Sequence, residues 1–138
     1  MANNIVKGMG YHHIALRCKD IEKSIKFYEA LGCVKVAEWQ GKASKIAMVD
    51  LGDGGRIELF GGGVEDKVES ATQSGEWFHF ALKADDPDMA YNTAIAAGAT
   101  PKLVPYDTTL MSEPPMNVRL AFVYGPSGEV IEFFKVRD

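Results

Sequence analysis

Short runs of alternating apolar and polar residues, each followed by apolar residues at helical spacing, recur along this chain. The segment Tyr11-His-His-Ile-Ala-Leu16 alternates as a strand does. Ile21, Ile25, Tyr28 and Leu31 then return at the period of an amphipathic helix. Three further strand-like runs follow: Val34 to Trp39, Lys45 to Leu51 and Arg56 to Phe60. The second part of the chain repeats the order. Trp77-Phe-His-Phe-Ala-Leu82 reads as a strand, and Met89, Tyr91, Ala94, Ile95 and Ala97 as a helix. Pro101 to Val104, Val118 to Tyr124 and Glu129 to Val136 read as three more strands. The pattern predicts an α+β protein built from two tandem βαβββ modules.

The two copies share one register. At an offset of 66 residues His13 falls on His79, Ile14 on Phe80, Ala15 on Ala81 and Leu16 on Leu82. The same shift places Asp20 on Asp86, each suited to cap a helix N-terminus, and Gly32 on Gly98, each able to end one with positive φ. Pro87 fits the first helical position of the second copy. Glycine-rich turns, Gly52-Asp-Gly-Gly55 and Gly125-Pro-Ser-Gly128, separate the last two strands of each copy. Residues 1–138 are therefore read as one domain, with modules at 10–60 and 77–136 joined by a linker at 61–76. The glycines opening that linker precede no apolar helix and no GK[ST], so they are read as a connector and not a phosphate loop. Pro105 to Asn117, with three prolines, is read as either a lid or an irregular surface loop.

Composition narrows the function. A chain of 138 residues with 46% hydrophobic residues buries enough surface to fold without disulfides or a structural metal. Cys18 and Cys33, with no CxxC pair, are read as reduced thiols of a cytoplasmic protein. No run is long and apolar enough to span a membrane, and the first residues lack the grading of a signal peptide. A formal charge of -4 with scattered lysines supplies no basic stripe for nucleic acid, which leaves a small molecule as the expected ligand.

Alternation also sorts the side chains by face. Ile14, Leu16 and Cys18 are expected on the helix side of the first strand, leaving His13, Ala15 and Arg17 on the other. His79 and Ala81 repeat that division. Glu58 in Arg56-Ile-Glu-Leu-Phe60 and Glu132 in Val130-Ile-Glu-Phe-Phe134 each interrupt an apolar strand at equivalent positions. Ionised carboxylates are costly to bury without a compensating charge, so both acids call for a partner. Two imidazoles and two carboxylates on the face away from the helices would make a site for one divalent ion: Zn, Ni, Co, Mn or Fe, which sequence does not rank. His12 is expected on the helix side, where the repeat aligns it with Phe78, and is not a favoured ligand. Arg17 is placed either to meet an anionic substrate group or to be solvated. Trp39, Phe60 and Met111 are read either as lining of an apolar pocket or as plain packing.

His13-Ile-Ala-Leu with Asp20, the helix end Ser24-Ile-Lys-Phe-Tyr-Glu-Ala-Leu-Gly32, His79-Phe-Ala-Leu and Gly125-Pro-Ser-Gly-Glu-Val-Ile-Glu132 together resemble the vicinal oxygen chelate superfamily. That superfamily includes glyoxalase I, bleomycin-resistance proteins and ring-cleaving dioxygenases. The resemblance implies paired βαβββ modules whose mixed sheets curl around a metal cavity, usually in a homodimer. Bacterial-type glyoxalase I carries His, Glu, His, Glu, which maps onto His13, Glu58, His79 and Glu132; methylmalonyl-CoA epimerases usually have Gln at the position of Glu58. The resemblance therefore implies a lactoylglutathione lyase-like enzyme, acting on a hemithioacetal of methylglyoxal. In it Glu132, or by pseudo-symmetry Glu58, moves the proton, and Arg17 matches an arginine near the thiol moiety. Gly62 stands where those enzymes commonly have Asn, and Phe27-Tyr-Glu-Ala-Leu-Gly32 is one residue shorter than their FYxxxLG. Another metalloenzyme of the superfamily, an epimerase or thiol transferase, and a non-catalytic drug-binding dimer are the alternatives.

Overall fold

The protein is described by a computed structural model covering residues 4–5, 11–62, 77 and 79–138. The N-terminal residues read as lacking a signal peptide lie mostly outside the described residues, as do Phe78 and the linker beyond Gly62. The first module runs β1 (His13–Arg17), α1 (Ile21–Ala30), β2 (Val34–Gln40), β3 (Lys45–Asp50) and β4 (Arg56–Phe60). The second runs β5 (Phe80–Lys83), α2 (Pro87–Ala96), β6 (Thr100–Leu110), β7 (Met116–Tyr124) and β8 (Val130–Val136). Each module forms its own four-stranded mixed sheet, in the orders β1-β4-β3-β2 and β5-β8-β7-β6. The parallel pairs β1·β4 and β5·β8 are equivalent, as are the antiparallel remainders. The two sheets do not join into a closed barrel within the chain.

Both helices begin and end as their sequences dictate. The Asp20 carboxylate accepts from the Lys23 amide at 3.2 Å and that of Asp86 from the Met89 amide at 3.0 Å, each satisfying one of the free N–H groups of a first turn. Pro87 opens α2, where its missing N–H removes no hydrogen bond. Gly32 (φ 95°) and Gly98 (φ 106°) then turn the chain out of the two helices through the left-handed region.

One departure concerns the segment 105–117. It is not an irregular loop: β6 continues to Leu110 and β7 begins at Met116, so the segment is the end of a β-hairpin. Prolines misled the reading because they cannot donate to a ladder, yet β6 is an edge strand. Its register shifts between Leu103 and Tyr106, around Pro105, so the absent N–H interrupts nothing.

The helices and the inward faces of both sheets share one core, in which Ile25, Phe27, Tyr28, Ile57 and Leu59 meet Tyr91, Ala94, Val123, Ile131 and Phe133. Cys18 and Cys33 are free and buried within it. Burial, and after it Asp50, pushes the Cys33 thiol up to about 11, so it stays protonated and inert at neutral pH.

A polar network ties the modules together. The Tyr28 hydroxyl of α1 donates to Glu129 Oε1 at 2.9 Å, and the Ser127 amide donates to Glu129 Oε2 at 2.8 Å. The Lys19 amide donates to the Ser127 hydroxyl at 2.9 Å. Ser24, Ser127 and Glu129 are all buried. Burial, followed by the charge of Glu129, pushes the Tyr28 phenol well above its ordinary value, so it remains a donor. Gly125 makes room for this carboxylate: a Cβ there would lie 2.2 Å from Glu129 Oε1. Gly125→Ala is accordingly expected to displace Glu129 from Tyr28 and to destabilise the fold by about 1.5–3 kcal/mol, the usual loss for a hydrogen bond to a charged group. Urea unfolding measures this, and an unchanged midpoint would refute it.

Candidate metal centre

The strands divide their side chains as alternation requires. On β1 Ile14 and Leu16 pack toward the core while His13, Ala15 and Arg17 are exposed on the face away from the helices. Ala15 is the register partner of Glu58, so Glu58 shares that face, between Ile57 and Leu59, which are buried on the helix side. Ala81 is in turn the partner of Glu132, and Phe80 and Leu82 pack inward. The equivalence of the two parallel pairs thus fixes the chemistry twice.

His13 Nε2 lies 3.1 Å from Glu58 Oε2. His79 Nε2 lies 3.0 Å from Glu132 Oε2. Both carboxylates are largely covered, with side-chain exposures of 14% and 10%, whereas the imidazoles remain at 38% and 32%. Burial pushes the Glu132 carboxyl above its ordinary value, and the His79 imidazole beside it opposes that rise. Phe122, across the ladder from Glu132, holds the His79 ring edge-on at 5.6 Å.

The four residues read from the sequence therefore come together as two pairs, one per sheet. Among the described residues no three His, Cys, Asp or Glu side chains converge as an ion would require. A histidine and a carboxylate facing each other at hydrogen-bond distance match the nitrogen and oxygen donors of borderline divalent ions, so each pair fits as half of a centre.

His12 is exposed and not packed against the helix side. Its Nδ1 sits 2.8 Å from Nδ1 of His13, leaving Nε2 of His13 to face Glu58. That contact between neighbours carries no periodic signal. Arg17 lies over the Phe60 ring, 5.6 Å from its centroid, and donates to the Gly61 carbonyl at 3.0 Å. Trp39, Ile46 and Phe60 form a row across the sheet on the same face as Glu58, with Trp39 partly exposed; Met111 is almost fully exposed at the β6–β7 turn. Sequence reasoning missed Asp50 and Arg56, an ion pair at 3.3 Å on this face, with Arg56 opposite His13. The amide of Gly52, before Arg56, holds the Asp50 carboxyl below its usual range.

Two βαβββ modules, each presenting one His–Glu pair from its parallel strands, define a tandem vicinal oxygen chelate architecture. The chain belongs to the Glyoxalase/Bleomycin resistance protein/Dioxygenase superfamily, whose model matches residues 10–133. Among solved structures it is similar to a glyoxalase family protein from Bacillus cereus, at 17% identity and a TM-score of 0.73, covering 99% of this chain and 100% of that one. It is similar also to one from Enterococcus faecalis, at 17% identity and TM-score 0.72, covering 93% and 98%. A point mutant of glyoxalase I from Zea mays matches at 19% identity and TM-score 0.73 over 93% of this chain but 46% of that protein, so this chain spans about half its length. At these identities the likeness shows the fold alone. No curated protein matches significantly.

Proposed function

We propose that this protein is a metal-dependent isomerase or lyase of the glyoxalase I type, acting on a hemithioacetal formed between methylglyoxal and a thiol. The observation that carries this reading is the pair of equivalent His–Glu contacts, 3.1 and 3.0 Å, on equivalent parallel strands. One chain keeps its two pairs apart, so the site is completed by a second copy: His13 and Glu58 of one chain meet His79 and Glu132 of the other. The protein is a homodimer in this reading, with a small-molecule substrate.

When bound, a divalent ion of the zinc, nickel, cobalt, manganese or iron type would act as a Lewis acid on the substrate oxygens. His13, Glu58, His79 and Glu132 would hold it. Glu132 takes the proton from the carbon bearing the hydroxyl and returns it to the neighbouring carbon, while the hydroxyl proton passes to the adjacent carbonyl oxygen, so the hemithioacetal becomes a hydroxy thioester. Its burial raises its proton affinity toward what that transfer needs. Glu58, equally placed on the first sheet, is the other base to test. Arg17, on the same face as His13, binds the anionic end of the thiol moiety; Arg17→Ala is expected to raise KM several-fold while kcat changes little, as loss of uniform binding does. Steady-state kinetics checks this, and an equal fall in kcat would place Arg17 at the reacting centre.

Gly62, at φ 77°, presents no side chain to that thiol, which favours a thiol other than glutathione, or another chelating substrate of the superfamily. The deciding experiment is metal analysis of the purified protein, followed by turnover of methylglyoxal with a panel of thiols, each ion restored in turn. Bound metal with turnover of one adduct is expected. Metal-free protein that no ion activates would refute the reading.

A further inference from the structure

The two helix-to-turn joints of the repeat are not filled alike. At the first, α1 meets the β7–β8 turn through Ser24, Tyr28, Ser127 and Glu129, a packed polar plug. Aligning the two sequences on His13 with His79 and on Glu58 with Glu132 sets Ala90 against Ser24, Ala94 against Tyr28 and Gly55 against Glu129. The second joint, between α2 and the β3–β4 turn, therefore lacks the phenol, hydroxyl and carboxylate of the first. A cavity of about 610 Å³ lies there, within the range of small-molecule sites.

Its walls are chemically divided. Leu51, Leu82, Met89 and Phe133 supply an apolar surface. Leu82 and Phe133 are register partners on the helix side of their sheet, so the cavity and the His79–Glu132 pair lie on opposite faces. Around that surface stand three carboxylates, Asp53, Asp85 and Asp86, against one ammonium, Lys83. Asp86 is occupied in capping α2, and Asp53 accepts from the Gly55 amide at 2.8 Å. Asp85 has no hydrogen-bond or ion-pair partner among the described residues. We propose that this cavity is a second small-molecule site, separate from the candidate metal centre, which takes a hydrophobic amine: a ring-sized apolar body on Leu51, Leu82, Met89 and Phe133, with its ammonium group on Asp85.

Tryptamine is the probe, titrated into the full-length protein by calorimetry and by amide chemical shifts, with indole-3-propionate as the anionic control. Saturable binding of tryptamine is expected, with shifts centred on residues 51–55 and the first turns of α2. Asp85→Asn should weaken it by up to about fivefold, as loss of an exposed charge pair does. Ala90→Leu, which puts a side chain back into the vacated space, should weaken it at least as much; Asp85→Asn, at an exposed position, keeps the test intact if that variant folds poorly. His13→Ala should bind tryptamine as the parent does. Absence of saturable binding, including through a second copy that seals the cavity, would overturn the proposal. Equal affinity for indole-3-propionate, undiminished binding in Asp85→Asn, or its loss in His13→Ala would do the same.

Discussion

Two inactive variants of this chain, mixed and allowed to exchange subunits, are expected to regain about a quarter of the parental activity, because a closed two-fold dimer shares its sites between chains. One variant carries His13→Ala and Glu58→Ala, the other His79→Ala and Glu132→Ala. Each alone builds only sites lacking half the donors. In a mixed dimer one site receives His13 and Glu58 from the second variant and His79 and Glu132 from the first, and is complete; its partner site has none. The expectation rests on the separation of the two pairs, since no three such donors converge among the described residues of one chain. A mixture that stays inactive although mass measurements show mixed dimers would place all four donors of a working site in one chain. A chain that stays monomeric by light scattering at micromolar concentration would contradict the homodimer itself.

Glu132→Gln is expected to lower kcat by at least ~10²-fold while bound metal falls far less. The amide keeps an oxygen donor and nearly the same volume, so the contact with His79 and the packing between Ile131 and Phe133 survive. The proton acceptor alone is lost. Glu58→Gln provides the comparison, because Glu58 stands in the same relation to His13 but is slightly less covered. Metal stoichiometry measured beside kcat separates the roles. Full turnover in metal-loaded Glu132→Gln transfers the base to Glu58, and full turnover in both leaves the proposed proton transfer without a carrier.

The faces of the strands were legible because alternation and burial act on every residue of a half-buried sheet. Ile14, Leu16, Ile57 and Leu59 could only point inward, which left His13 and Glu58 together. Helix ends were legible for a similarly local reason: Asp20, Asp86, Gly32 and Gly98 each satisfy a backbone demand within one turn. The separation of the two His–Glu pairs was not legible. It depends on how one module seats against the other, and that is set by Tyr28, Ser127 and Glu129, contacts about a hundred residues apart with no period to betray them. Its traces were breaks in the repeat, Tyr28 where the second copy has Ala94 and Glu129 where the first copy has Gly55. Residue-by-residue matching of copies shows what is shared and passes over what differs.

The outer strand β2 has a consequence for handling the protein. All seven of its residues are exposed, and Val34, Val36 and Trp39 sit along an unpaired row of backbone donors and acceptors. Such a row can recruit strands from other molecules and seed ordered aggregates. Lys35 and Glu38, paired with each other, and Lys45, which bridges Glu38 to Glu22 of α1, place full charges along this margin. An incoming strand would have to strip water from those charges before it could hydrogen-bond. High salt weakens their mutual attraction, and only strong acid discharges Glu38, whose carboxyl the hydrogen bonds from Lys35 and Lys45 hold below its ordinary value. Turbidity and fibril formation should accordingly rise first under acidic, salt-rich storage, well before the buried core gives way.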